Sequence, residues 1–283
     1  MKRLILIDGN NLMFRAYYGT AAMGNLMKTS YGFYTNAIYG FIKMVNNIIS
    51  EKPYDAILVA FDAGKNTFRH QMLDSYKAGR SATPEEFKMQ IPYIKEYLKF
   101  ANIKQYETEK IEADDIVSVV AKKASLEGYQ VDIYSNDKDL LQLVSDNVTV
   151  YASKPKGVME KYDYDHFVEV YGITPTQFID LKALMGDKSD NLPGIDGIGE
   201  KTGIKLLKEY GSIENLIASV DKLKGALKVK VETNKDMGLL CKKMTTLVSE
   251  YDLPFTLNDL IITEPNMIEL KKFYQKFEFK SLL

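Results

Sequence analysis

At 283 residues the chain is long enough for one large domain or two smaller ones, and its 46% hydrophobic and 27% charged content suits a soluble globular protein with a sizeable core. One cysteine, Cys241, excludes an internal disulfide and a cysteine-rich zinc site, and fits a reducing compartment. A formal net charge of −1 excludes a strongly basic protein, although neutralising the carboxylates singled out below would leave a positive balance.

Leu4-Ile5-Leu6-Ile7 is a continuous apolar run of the buried parallel-strand kind, closed by Asp8-Gly9-Asn10. It is too short for a signal segment or a membrane span, so a cytoplasmic protein with no membrane association is expected. A helix start is expected from Asn11 to Tyr18, and helical spacing over Tyr31 to Ile49 predicts a second helix. Ala56 to Phe61 is another buried strand, and it too ends in an acid, Asp62. A helix between two such strands is a βαβ unit, and functional groups collect where its strands end.

Thr67 to Pro84 changes character, with Arg69, His70, Tyr76, Lys77 and Arg80 among few large apolar residues. If helical, Arg69, Tyr76, Lys77 and Arg80 share a face, either solvated or set to meet phosphates and bases. Thr83-Pro84 reads as a cap with Pro at the first helical position, and a helix carrying Phe87, Ile91, Ile94, Leu98 and Phe100 is expected after it.

In Ile111-Glu112-Ala113-Asp114-Asp115-Ile116-Val117, three carboxylates lie at the start of a helix. Glu112 and Asp115 are three apart and share a face, so they either favour the helix dipole or point into one site. Asp114 points about 100° away from Asp115 and is the weakest candidate of the three. Tyr129 to Tyr134 reads as a strand leading to Asp137-Lys138-Asp139, and Val148-Thr149-Val150 as a further strand. After it strands give way to helices. Thr174-Pro175-Thr176-Gln177 is a capping box, and its helix stops at Gly186-Asp187-Lys188-Ser189-Asp190-Asn191. The stretch Gly194-Ile195-Asp196-Gly197-Ile198-Gly199-Glu200-Lys201 fits neither a P-loop nor a dinucleotide fingerprint. It suits a tight hairpin between helices, whose N–H groups can hold a phosphate with Lys201 and Lys205 beside it.

Asp8, Asp62, Glu112, Asp114, Asp115, Asp137, Asp139, Asp187 and Asp190 all stand at element boundaries. If they converge, several must be protonated or cations must sit among them, and hard cations such as Mg²⁺ or Mn²⁺ suit oxygen ligands. With only His70 and His166, zinc and a Ser/His/Asp triad have little to build on.

These residues resemble the bacterial and phage 5′ nucleases of the flap endonuclease superfamily. The resemblance is carried by Ile5-Leu6-Ile7-Asp8-Gly9-Asn10, Phe61-Asp62, Phe68-Arg69-His70, Tyr76-Lys77-Ala78-Gly79-Arg80, Glu112-Ala113-Asp114-Asp115, Asp137-Lys138-Asp139-Leu140 and Gly186-Asp187-Lys188-Ser189-Asp190-Asn191-Leu192-Pro193-Gly194, and it runs to the closing Leu283. It implies an α/β fold: a PIN-like, mostly parallel sheet flanked by helices, with a helical arch and a C-terminal helical subdomain. The expected division is a catalytic core over 1–172, with the arch at about 66–100, and a DNA-binding subdomain over 173–283. Within the latter a helix–three-turn–helix is expected at about 178–208.

By the same resemblance the first five acids form one metal group and the last four a second. Lys77 and Arg80 act near the scissile phosphate, while Arg69, Tyr76, Gly194, Gly197, Gly199, Lys201 and Lys205 contact DNA. Two or more Mg²⁺ or Mn²⁺ ions are implied, with K⁺ at the hairpin. The implied activity is 5′–3′ exonuclease and flap endonuclease on DNA with 5′ flaps, nicks or free 5′ ends, by a monomer, in primer removal and repair. A DNA polymerase is the expected partner, either separate or continuing the same chain. The alternatives are a non-catalytic structure-specific DNA-binding module and a PIN-type ribonuclease.

Overall fold

The computed structural model describes residues 1–21, 26–64, 67–79 and 81–283. Its strands are β1 (Arg3–Asp8), β2 (Ala56–Asp62), β3 (Lys104–Thr108), β4 (Gln130–Tyr134), β5 (Val148–Ser153) and β6 (Met159–Tyr162). The helices of the first part are α1 (Gly9–Ala21), α2 (Asn36–Glu51), α3 (Phe68–Met72), α4 (Glu85–Lys88), α5 (Ile91–Phe100) and α6 (Ala113–Leu126). Those that follow are α7 (Tyr164–Tyr171), α8 (Pro175–Met185), α9 (Glu200–Tyr210), α10 (Ile213–Ala218), α11 (Gly225–Thr245) and α12 (Met267–Lys276).

The six strands form one sheet in the order β3-β2-β1-β4-β5-β6, parallel except for the β5–β6 pair. Strand order reverses around β1, which has β2 on one side and β4 on the other. Such switch points leave a crevice at the strands' carboxyl ends. Alternation along β1 decides the layers. Leu4 and Leu6 face a core shared with α6 and the C-terminal helices, while Ile5 and Ile7 face one shared with α1, α2, α5 and α12. Both faces are therefore covered, which is why β1 and β2 read as unbroken apolar runs.

Two strands escaped the sequence pattern. β3, Lys-Gln-Tyr-Glu-Thr, is an edge strand with no fully buried residue, so it lacks an apolar signature. β6 is a short antiparallel return. The helix expected to run through Phe87 and Phe100 is broken into α4 and α5. Gln90, at the break, is wholly buried, and its Oε1 accepts from the N–H groups of Ala37 and Ile38 at 2.8 and 3.3 Å. Those N–H groups open α2, so a side chain from the far segment caps that helix. The Thr174–Gln177 capping box forms as expected, with both reciprocal bonds present.

Candidate active site

The C-terminal edge of the sheet gathers the acids. Asp8 closes β1; its carboxylate accepts from Asn11 N–H at 2.9 Å and from the Ser135 hydroxyl, just past β4, at 2.8 Å. Asp62 closes β2 and accepts from Ala113 N–H at 2.7 Å, which ties that strand to the start of α6. Asp137 caps the 3-10 turn Lys138–Leu143 by accepting from Asp139 N–H. Burial, reinforced by the charges of Asp137 and Asp62, pushes Asp8 up to about 7. Asp114 is raised well above the usual carboxylate range by burial and by Asp137, Asp8 and Asp62. Four carboxylates from three strand ends and one helix start thus share a field.

Within Glu112-Ala113-Asp114-Asp115 the three acids have different neighbours. Asp114 is the member whose charge meets Asp8, Asp62 and Asp137. Asp115 is wholly buried and spends its oxygens on other donors. Arg69 Nη1 and Nη2 donate to it at 2.6 and 2.8 Å, and it accepts from the N–H groups of Glu112 and Val248. Glu112 and Asp115 also form a reciprocal capping box on α6. The acids thus start the helix, and Glu112 also meets Tyr76 and Lys77.

Residues 68–79 do not form the continuous helix on which a shared face was expected. After α3 the chain turns, and Lys77 takes a left-handed backbone at φ 56°. Arg69 and Tyr76, expected among DNA contacts, lie 2% and 4% exposed. Arg69 also donates to Met244 O at 2.7 Å, and Tyr76 Oη stands 3.1 Å from both Glu112 Oε2 and Asp190 Oδ2. Lys77 Nζ lies 3.0 Å from Glu112 Oε2 and 4.0 Å from Asp190 Oδ2. Two ties, Lys77 N–H to Asp190 O between main chains and the Asn191 side-chain Nδ2 to Ser75 O, dock this segment on the loop after α8. Arg80 lies outside the described residues.

In the second group, Lys182 bridges Asp139 and Asp187 from within α8. Burial works against its ammonium, but the two carboxylates outweigh burial and hold it charged. Burial and Asp137 push Asp139 up to about 7 against the pull of Lys182. Lys182 was not among the expected site residues. Its one signal is a lysine in a mostly apolar helical stretch, Phe178-Ile179-Asp180-Leu181-Lys182-Ala183-Leu184, which also holds Asp180. Asn191, at φ 57°, makes a contact with Ser75 O that spacing did not reveal.

The nine acids do not stand as one cage. Among the described residues no three Asp, Glu, His or Cys side chains are gathered closely enough to hold an ion as placed. The reason is that several oxygens are turned onto Arg69, Lys77, Lys182 and backbone donors. The donor set nevertheless fits a hard divalent cation: all oxygen, largely buried, and mutually repelling enough to raise three carboxylates.

The glycine stretch connects α8 to α9 as a hairpin. Gly194 is buried at φ 66°, where an added Cβ would meet Gly186 N at 2.3 Å and Leu184 O at 2.7 Å, so only glycine lets these turns cross. Gly197, at φ 69°, lies under Lys230 Nζ of α11. Gly199, Lys201 and Lys205 are exposed. Lys201 and Lys205 line an open cleft of about 500 Å³ with Lys222 and Lys224.

The site region thus joins an α/β sheet with an acidic carboxyl edge, a docked segment carrying Arg69, Tyr76 and Lys77, and a helical hairpin. Residues 3–172 match the family model described as 5′-3′ exonuclease, N-terminal resolvase-like domain, and residues 173–268 match 5′-3′ exonuclease, C-terminal SAM fold. The chain belongs to the 5′–3′ exonuclease family of metal-dependent nucleases.

Among its relatives is DNA polymerase I of Streptococcus pneumoniae, 44% identical over 284 residues that cover 99% of this chain and 32% of that protein. DNA polymerase I of Bacillus caldotenax is 42% identical, with 100% and 32% covered. The chain thus spans about a third of the length of the curated relatives it matches. T5 5′-exonuclease, solved with divalent zinc bound, superposes with a TM-score of 0.71 at 23% identity over 98% of both chains. The catalytic core of Rad2 in complex with a DNA substrate gives 0.63 at 16% identity, over 98% of this chain and 87% of that one. These two likenesses bear on the fold. Among the described residues no helix is long and apolar enough to cross a membrane.

Proposed function

We propose that this chain hydrolyses phosphodiester bonds in DNA near free 5′ ends, at flaps and nicks, with two divalent ions held between its carboxylate groups. The observation that carries this reading is the shared field of Asp8, Asp62, Asp114 and Asp137, with two of them raised by burial and mutual repulsion. Asp8, Asp62, Glu112 and Asp114 would hold the first ion, with Asp115 fixing Glu112 and the start of α6. Asp137, Asp139, Asp187 and Asp190 would hold the second. Mg²⁺ or Mn²⁺ bound there supplies charge stabilisation for the attacking and leaving oxygens of the displacement.

The chain's own groups do the rest. Lys77, with Arg80 beside it in sequence, offsets negative charge growing at the scissile phosphate. Tyr76 donates into the cleft and keeps Glu112 and Asp190 facing it. The α8–α9 hairpin, with Gly197, Gly199, Lys201 and Lys205 outward, grips duplex backbone without reading bases, and K⁺ in its turns would add a fixed charge. Arg69 sits on Asp115 in this arrangement, which suits positioning rather than a phosphate contact.

We assign catalysis to 1–172 and duplex binding to 173–283, acting as a monomer in the cytoplasm. Its work would be primer removal and repair, beside or joined to a DNA polymerase. The test is cleavage of a labelled 5′-flap duplex. Activity with Mg²⁺ that chelator abolishes is expected; chelator-resistant cleavage, or preference for single-stranded RNA, would overturn the reading.

A further inference from the structure

The second carboxylate group already contains a cation of the protein's own. Lys182 Nζ lies 2.9 Å from Asp139 Oδ1 and hydrogen-bonds Asp187 Oδ2, and the residue is 8% exposed. The contact with Asp139 is charge without alignment: Oδ1 is buried and, despite the short distance, receives no hydrogen bond of acceptable angle. A buried carboxylate oxygen left in that state is satisfied in charge but not in direction. By contrast Arg69, on the first group, meets Asp115 as a two-pronged fork and also bonds Met244 O. The fork is built to stay. A lysine on a flexible stem is not, and the space beside it is open. Lys182 also lines a cleft of about 280 Å³ that includes Asp187, Lys138, Met185, Lys188 and Glu200.

We infer that Lys182 is a displaceable counter-ion of the second metal site: it holds Asp139 and Asp187 together when no ion is present, and swings into the neighbouring cleft when one binds. Two consequences follow from competition for the same oxygens. Lys182 weakens the second site for divalent ions, so the two sites fill at different concentrations. It also keeps the metal-free second group from flying apart. The inference rests on the reading of Asp139 and Asp187 as ligands.

Mn²⁺ titration of the full chain, followed by electron paramagnetic resonance, tests it. Wild type should show a tight and a weak class of ion, and Asp187→Asn should lose the weak one. An opposite charge within a few ångströms moves a carboxylate's proton affinity by about 1–3 pK units, so Lys182→Met should tighten the weak class by about tenfold or more. Lys182→Arg, whose fork is harder to displace, should leave the weak class no tighter than in wild type. Metal-free Lys182→Met should unfold at lower urea, and Mn²⁺ should erase the difference. Lys182→Gln carries the same expectations should the methionine variant misfold, with circular dichroism reporting the fold. A weak class that is unchanged or weaker in Lys182→Met and Lys182→Gln overturns the inference while leaving the ligand assignment standing. No weak class in wild type or in either variant overturns both.

Discussion

Arg69 closes on Asp115 through two nearly parallel hydrogen bonds of 2.6 and 2.8 Å, with both side chains almost wholly removed from water. The pair joins the segment after β2 to the start of α6, and Met244 O extends the tie to α11. Removing one partner strands a buried charge, which costs about 3–5 kcal/mol. Arg69→Met should therefore lower stability by that order, read as a fall in the urea midpoint at constant slope. Asp115→Asn should also destabilise, and the double variant should lose less than the sum. Strict additivity would show that the two do not act as a pair.

Tyr76→Phe isolates one donor. It removes the hydroxyl that meets both Glu112 and Asp190 while keeping the ring. The single proton can go to only one of the two at a time, and Glu112 keeps Lys77 as a donor, so the loss is one hydrogen bond to a buried carboxylate, at about 1–3 kcal/mol. Flap cleavage should fall by about 10- to 100-fold, as removing an interaction worth roughly that much predicts. Duplex affinity, measured without cleavage in Ca²⁺, should stay within about twofold, since the hairpin carries it by charge. A large loss of affinity would restore Tyr76 to the DNA contacts.

Metal-free stability should depend on pH with a definite sign. Asp8 and Asp139 are each pushed up to about 7 in the folded chain, from 3.8 when exposed. The folded state therefore holds protons that the unfolded state releases. This contribution is fully present below the unfolded value and is lost as pH rises towards 7. In chelator, the urea midpoint should be higher at about pH 5.5 than at about pH 8, and Asp8→Asn should stabilise the protein at the higher pH by roughly 1–3 kcal/mol. Mg²⁺ should flatten the dependence. A metal-free protein that is more stable at the higher pH would contradict the shared field of acids.

Two glycines in one hairpin should behave oppositely. Gly194→Ala forces a Cβ onto backbone at 2.3 Å and a positive φ, so it should cost about 3 kcal/mol or more. Gly199→Ala meets nothing within 4 Å and needs no positive φ, so its stability should change by less than about 1 kcal/mol. Any loss in duplex affinity at Gly199 would then report approach of the phosphate backbone. Thermal unfolding and fluorescence anisotropy separate the two effects.

Lys201→Ala and Lys205→Ala should weaken duplex binding with no sequence preference. Each should reduce the slope of log affinity against log salt by about 1. An unchanged slope would move the duplex to another face of the molecule.

The sheet was legible where burial is two-sided. β1 and β2 announce themselves because nothing polar interrupts them, and Asp8 and Asp62 stand out as what ends them. β3 could not be read, because an edge strand has no need of an apolar run. The acids were readable as a set but not as a geometry. Periodicity places Asp114 and Asp115 about 100° apart without saying which faces the cleft. That was decided by Arg69, some 45 positions earlier, which claims Asp115. Lys182 and Asn191 escaped for the same reason: their partners, Asp139 and Ser75, are close only after folding. Arg69 and Tyr76 looked like surface cations and aromatics because local sequence does not show what covers a residue.

Gln90 carries a mechanical consequence. It plugs the start of α2, and Arg69 is riveted to α6 and α11, so the stretch between them has two fixed footings. A third fastening, Asn191 to Ser75, sits near one end. Between those footings the Glu86 carboxylate is pinned as well, accepting from the Tyr17 hydroxyl at 2.8 Å. Both ends of the segment therefore move with the core: one is anchored through α6 and α11, the other through α2.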